Sequence, residues 1–251
     1  MDIKVFSTKM KMAQAAADKA AAFLRAAIAR HGQAVFVAAT GVSQFEFLQA
    51  LTAAPGIDWS KTHMFHLDEY IGIPDTHPAS FRRYLRERLV ERVHPGEVHF
   101  IQGDAPDLPA EIKRLNSLIA AQAVDVALVG IGENGHLAFN DPPADFEIND
   151  PYIVVELNEA CRRQQLGEGW FPSLDAVPRQ AVSMSIRQIM RARALVCTAP
   201  DKRKAQAVHD CFTGAITPQH PASILRSHPQ AHLFLDADAA SLMEGVTIEP
   251  A

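Results

Sequence analysis

Residues Val124–Pro143 read VDVALVGIGENGHLAFNDPP. The stretch opens as a run of apolar and β-branched residues, interrupted only by Asp125, with the length of one buried strand. It then breaks into a loop carrying Gly130, Gly132 and Gly135, where the backbone is free to bend sharply and to approach a ligand. His136, Asn140 and Asp141 follow within that loop, an imidazole, an amide and a carboxylate in six residues. In an open α/β sheet, ligands bind just beyond the carboxyl ends of the strands. The loop is therefore expected to form the floor of an active site.

The chain on either side alternates helices and strands. Met10 to Arg30 is Ala-rich with apolar residues at helical spacing, which predicts a first helix. Ala34–Ala39 reads as a short strand, ending in Thr40-Gly41-Val42-Ser43 before a helix over Gln44–Leu51. Such a turn either holds an anion on backbone N–H groups and hydroxyls or simply caps the helix. Thr62–Leu67 is a second strand running straight into Asp68-Glu69-Tyr70. Adjacent acids at a buried strand end are expensive unless paired or used, and in a strand they point to opposite faces. At most one of them should face the site; the alternative for Asp68 is a turn cap.

Ser80 is expected to cap a helix reaching about Val90, followed by a strand at Glu97–Ile101 and a helix at Leu108–Gln122. Beyond the glycine loop, strands are predicted at Tyr152–Leu157, Ala181–Ser185, Ala194–Thr198 and Ala231–Leu235. Helical segments are predicted at Ile186–Arg191, Asp201–Phe212 and Pro221–Leu225. Gly167–Pro178 lacks periodicity and reads as a lid or specificity loop. Lys202, Arg203 and Lys204 crowd the first turn of the 201–212 helix, against its dipole, as suits an anion held there or a solvated face. The pattern predicts one α/β domain over 1–251, a Rossmann-like, open, largely parallel sheet with helices on both faces.

Composition narrows the function. Hydrophobic residues make up 48% and charged residues 21%, ordinary for a globular protein. A net charge of −5 argues against nucleic-acid binding, which needs a basic face, but leaves room for a phosphorylated small molecule. Cys161, Cys197 and Cys211 show no C-x-x-C spacing, which argues against a disulfide framework or zinc site. With no signal pattern and no apolar run of membrane length, the expected location is cytoplasmic, away from any membrane. The 11 histidines show no H-E-x-x-H pattern, so no metal site is expected, and no G-x-S-x-G elbow occurs. G-I-G-E-N-G fits the dinucleotide pattern only superficially, because Pro142-Pro143 stand where its helix would run. Asp68, His136, Asp141, Thr40-Gly41, Arg162 and Lys204 form a set suited to proton transfer on an anionic substrate, without a cofactor.

Leu67-Asp68-Glu69-Tyr70, the segment from Gly130 to Pro142, and Ser223-Ile224-Leu225 with His228-Pro229 together resemble the glucosamine-6-phosphate deaminase family. This family is also called glucosamine-6-phosphate isomerases and is related more distantly to 6-phosphogluconolactonases. The resemblance runs from about Ala34 to Asp236. It implies conversion of an amino-sugar phosphate and water to a ketose phosphate and ammonia, most simply glucosamine 6-phosphate to fructose 6-phosphate. By resemblance, Asp68 is the proton-shuttling base, His136 the ring-opening acid/base, and Asp141 the carboxylate supporting His136. Thr40, Gly41, Ser43, Arg162 and Lys204 match phosphate-binding positions, and Glu69, Gly132 and Gly135 are further candidate substrate-binding positions. Relatives include monomers and hexamers; the reading leans to a homo-oligomer.

Three departures from the family pattern stand out. Asn134 replaces an Asp, and an amide orients an imidazole without stabilising its charged form; Asp141 is expected to compensate rather than Glu133. Val42 replaces a common glycine in the phosphate loop. Residues 145–150 are acidic where allosteric members carry Arg and Lys, which argues against activation by a sugar phosphate. Alternatives to the deaminase are a 6-phosphogluconolactonase-type lactone hydrolase and a non-catalytic sugar-phosphate sensor.

Overall fold

The computed structural model describes residues 1–245 and 247–249; Val246, Pro250 and Ala251 of the 1–251 span lie outside the described residues. Seven strands form the central sheet: β1 (Asp2–Phe6), β2 (Ala34–Ala38), β3 (Thr62–His66), β5 (Glu97–His99), β6 (Val126–Gly130), β9 (Ala194–Ala199) and β10 (Ala231–Asp236). Their order is β1-β10-β9-β6-β2-β3-β5, and every pairing is parallel. A second, antiparallel sheet joins β4 (Asp68–Tyr70), β8 (Gln180–Met184) and β7 (Tyr152–Glu156) in the order β4-β8-β7.

Helices cover both faces because successive side chains of a strand point opposite ways. Phe36, Ala38, Val126 and Leu128 pack beneath α1 (Lys9–His31) and α2 (Phe45–Ala53). The same core takes Leu85 and Leu89 from a helical run made of α3 (Phe81–Leu85), a π turn at Arg86–Val90 and α4 (Glu91–Val93). Val35, Val37, Ala127 and Val129 face the other side, against α5 (Leu108–Ala120), α7 (Ile186–Met190) and α8 (Ala205–Thr213). The alanines of α1 let it lie close to the sheet, and Thr8 caps it through the N–H of Lys11. A third cluster of Tyr70, Phe81, Phe139 and Phe171 holds α6 (Glu159–Gly167) over the second sheet through Cys161. No helix among the described residues is long and apolar enough to cross a membrane.

Three features differ from the sequence reading. β1 is absent from it, because this edge strand buries only Val5 and offers too short a pattern. Asp68-Glu69-Tyr70 does not continue β3. The chain leaves the main sheet at Leu67, whose N–H donates to Ala38 O and whose carbonyl accepts from Met184; β4 then pairs with β8. The strands near 152 and 181 accordingly belong to the second sheet, since periodicity reveals a strand but not its partner. The helix expected over 201–212 begins as a 3-10 turn at Lys202–Lys204 before α8.

Asp125, the polar interruption in the opening stretch, has a structural partner. Its Oδ2 accepts the N–H of Val35 at 2.9 Å and its Oδ1 accepts from Arg193 at 3.1 Å. It ties the entry of β6 to the start of β2. Asp125→Ala leaves that buried N–H unpaired and is expected to cost about 1–3 kcal/mol. Urea unfolding should show a lowered midpoint, with Asp125→Asn recovering part of the loss.

Candidate active site

β9, β6, β2 and β3 lie side by side and parallel, so their carboxyl ends meet at one edge. From β2 the chain builds toward β5, then returns to place β6 on the other side of β2. The reversal between β2 and β6 opens the crevice in which this class of sheet binds ligands. β2 delivers Thr40–Ser43, β3 leads through Leu67 to Asp68, β6 delivers the glycine loop, and β9 leads to Lys204. Thr40, Gly41, Ser43, Asp68, Gly132, His136 and Lys204 line one cavity.

His136 is fixed from behind. Its Nδ1 lies 3.0 Å from Asp141 Oδ1, so with the proton on Nδ1 the Nε2 lone pair is left for the cavity. Gly132 makes this packing possible: a Cβ there would fall 2.2 Å from Nε2. Burial disfavours the Asp141 charge, but the bonds from His136, Asn134 and the Asn158 N–H outweigh it and hold the carboxyl below its ordinary range. Asn134 therefore acts on the dyad indirectly. Its Nδ2 donates to Asp141 Oδ1 at 3.0 Å and its Oδ1 accepts the backbone N–H of His136 at 3.1 Å. An Asp at this position would turn a second carboxylate on Asp141. Glu133 instead pairs with Arg203 at 3.3 Å. Asn140 staples the loop to β8, donating to Leu137 O and Met184 O at 2.8 Å each.

The two acids of β4 have separate fates. Asp68 faces the cavity, and burial, reinforced by the charges of Glu69 and Glu168, pushes its carboxyl well above the usual carboxylate range. Glu69, a candidate substrate contact by sequence, points the other way. It accepts the N–H groups of Tyr70, Phe81 and Arg82 and the hydroxyl of Ser80 at 2.8–3.1 Å. The Arg82 guanidinium lies 3.5 Å away. Burial raises the Glu69 carboxyl, and those four donors work against the rise. Glu69 holds the start of α3 against β4 and has no surface in the cavity.

The anion-binding candidates also divide. Thr40, Gly41 and Ser43 form a turn at the start of the 3-10 helix Val42–Gln44, with Gly41 at φ 101°, in the region that favours glycine. Lys204 reaches the same turn from β9; burial lowers its pKa, while the charges of Glu133 and Glu168 oppose the fall. Arg162 does not join them. Its guanidinium donates to Leu174 O and Val177 O, pinning the segment after α6. Gly135 is also outside the cavity, in a turn at φ 84° packed near Cys211 and Pro221. Gln164, Glu168 and Arg203 line the cavity without having been singled out as site residues. Arg203 was visible as one of three adjacent cations, whereas an acid inside an aperiodic loop carries no signal of its own.

Among the described residues, one trio has donor atoms placed for a metal ion: His136, Asp141 and Cys161, all within 4.8 Å of one another. Burial, reinforced by the Asp141 charge, pushes the Cys161 thiol far up, so the proton that a metal would have to displace is held tightly. The trio suits a hydrogen-bonded support for His136.

A Rossmann-like sheet with a glycine turn, a buried carboxylate and a histidine–carboxylate pair at one crevice defines a class of small-molecule site. The chain belongs to the glucosamine-6-phosphate isomerases/6-phosphogluconolactonase family, whose model matches residues 7–234. It is 40% identical over 185 residues to a glucosamine-6-phosphate deaminase of Exiguobacterium sp., covering 74% of this chain and 71% of that one. A glucosamine-6-phosphate deaminase of Pseudarthrobacter chlorophenolicus is 34% identical over 249 residues, covering 97% and 93%. Among solved structures, a monomeric glucosamine-6-phosphate deaminase superposes with a TM-score of 0.88 at 30% identity, over 96% of this chain and 100% of that one. The 6-phosphogluconolactonase of Trypanosoma brucei shares the fold, with a TM-score of 0.75 at 18% identity over 96% and 98%.

The assignment of Glu69 to the scaffold has a direct test. Glu69→Ala removes the acceptor shared by four donors and leaves Arg82 short of a buried partner, an expected loss of about 3 kcal/mol or more. Thermal unfolding should show that loss, and Glu69→Gln, which keeps one acceptor oxygen, should fall between.

Proposed function

We propose that this protein is an aldose–ketose isomerase-deaminase of an amino-sugar phosphate, converting glucosamine 6-phosphate and water to fructose 6-phosphate and ammonia. The observation that carries the reading is the single cavity lined by Asp68, His136 and Lys204. Kinship with enzymes named glucosamine-6-phosphate deaminase supports it.

The phosphate is assigned to the turn Thr40–Ser43 and Lys204, where N–H groups and a cation offset its charge. That places the sugar's C1–C2 end toward the acid groups. His136 Nε2 takes the proton of the C1 hydroxyl and gives it to the ring oxygen, opening the ring to the aldehyde. Asp68 then removes the C2 proton while a proton of the substrate's ammonium group passes to the C1 oxygen, leaving a neutral enolamine. The same carboxyl returns the proton to C1, so that C2 becomes an iminium carbon. Water adds there, the C2–N bond breaks, and ammonia leaves as the ketone forms. Every group this sequence uses comes from one chain, and no redox step occurs.

The elevated Asp68 carboxyl fits this role, since a base near the working pH both accepts and returns a proton readily. Only the ionised form can take the C2 proton. The rate should therefore rise with pH through a midpoint above the usual carboxylate range, read as the acid limb of kcat/KM.

Asp68→Asn should lower ammonia release from glucosamine 6-phosphate by about 10²–10⁴-fold. Because a raised folded pKa makes charging oppose folding above the unfolded value, the same substitution should maintain or increase thermal stability at neutral pH. Retention of full rate would remove Asp68 from the chemistry. Acid release from a sugar-phosphate lactone, with no ammonia from any hexosamine phosphate, would replace the reading with the lactonase one.

A further inference from the structure

The cavity that joins Asp68, His136 and Lys204 holds about 60 Å³. That is room for a few water molecules, whereas sites for small organic ligands usually reach ~300 Å³ or more. One acidic side chain narrows the cavity. Glu168 follows the end of α6 and reaches back over the anion-binding turn: a Cβ placed on Gly41 would lie 3.9 and 4.0 Å from its two carboxylate oxygens. Burial raises this carboxyl, while Lys204, the Gln164 amide, the Val42 N–H and Arg203 favour its charged form. Its Oε2 is buried and makes no hydrogen bond. An anion of the protein's own thus sits where the turn and Lys204 offer to receive one.

The same side chain also forms a wall. Gly41, Phe81 and Glu168 line both this inner cavity and an outer one of about 160 Å³ bordered by Tyr84 and Trp170. Glu168 lies between Gly167 and Gly169, and Gly169 has φ 85°, so the backbone around it turns easily. The segment beyond is held, with Phe171 buried against Tyr70 and Arg162 bonded to Leu174 and Val177. Glu168, Gly169 and Trp170 are the residues between α6 and that held segment.

We propose that Glu168 is a tethered occupant of the anion-binding turn, closing the inner cavity until a substrate phosphate displaces it and joins the two cavities. The inference rests on the preceding assignment of that turn to a phosphate. Two anions cannot share these donors without repulsion. A phosphate brings more charge and three acceptor oxygens to the same N–H groups and cations, so it can replace the carboxylate. A neutral sugar brings no charge to replace Glu168 beside Lys204 if Glu168 swings out, so the contact favours phosphorylated substrates.

Titration calorimetry with inorganic phosphate tests this on the intact protein and on Glu168→Gln and Glu168→Ala, each checked for native circular dichroism. If the occupant blocks the turn for most of the time, its removal should tighten phosphate binding by about 10-fold or more in Glu168→Ala. Glu168→Gln, uncharged but of similar size, should also bind more tightly than the unaltered protein. Equal or weaker binding by both folded variants overturns the proposal and leaves the phosphate assignment standing, because the unaltered protein still binds. Absence of phosphate binding in all three overturns both.

Discussion

Four parallel strands ending at one edge of the sheet are the constraint on which the rest depends. β9, β6, β2 and β3 are neighbours, so residues as distant in sequence as Thr40, Asp68, His136 and Lys204 are delivered to one crevice. Parallel strands need a crossover between each pair, and those crossovers supply the helices that bury both faces. The site is consequently held by the core itself. The departure from the main sheet at Leu67 turns Asp68 from a strand end into part of a second sheet that backs the glycine loop.

Within the crevice, charge is arranged by position. Lys204 and Arg203 line the cavity with the turn after β2, while Asp68 and the His136–Asp141 pair lie along the same cavity. Burial acts on each acid, but its outcome depends on the donors available. Asp141 has three and stays readily ionised; Asp68 faces the cavity beside other carboxylates and holds its proton to higher pH. Glu69, one residue away, meets four donors and becomes scaffold. Environment separates three carboxylates into a support, a candidate base and a strut.

Much of this was legible in the sequence, for physical reasons. The strand and glycine loop at 124–143 carry both hydrophobic pattern and turn chemistry, and the paired acids at 68 and 69 violate the rule against buried charge. Alternation also foretold that only one of those acids could face the site, but not which. The Asp141 support of His136 was implied by the family resemblance of the loop, and the structure adds the His136–Asp141 contact and how Asn134 serves it. Arg162 and Gly135 could not be sorted by sequence, because their chemistry suits an anion site or a tight turn equally well. Their actual partners, the carbonyls of Leu174 and Val177 and the side of Cys211, are set by tertiary packing. The second sheet was hidden for the same reason, and so was Glu168, whose position depends on where the loop after α6 folds back.

The central claim, that Asp68 and His136 work on one sugar phosphate held by the turn after β2, is tested most directly by a crystal structure. The complex should contain 2-amino-2-deoxyglucitol 6-phosphate, a reduced open-chain analogue that cannot complete the reaction. The account predicts the phosphate on Thr40–Ser43 and Lys204, the C2 carbon against the Asp68 carboxylate, and the C1 or C5 oxygen at His136 Nε2. A phosphate bound elsewhere, or a ligand that touches only one of the two side chains, would contradict it.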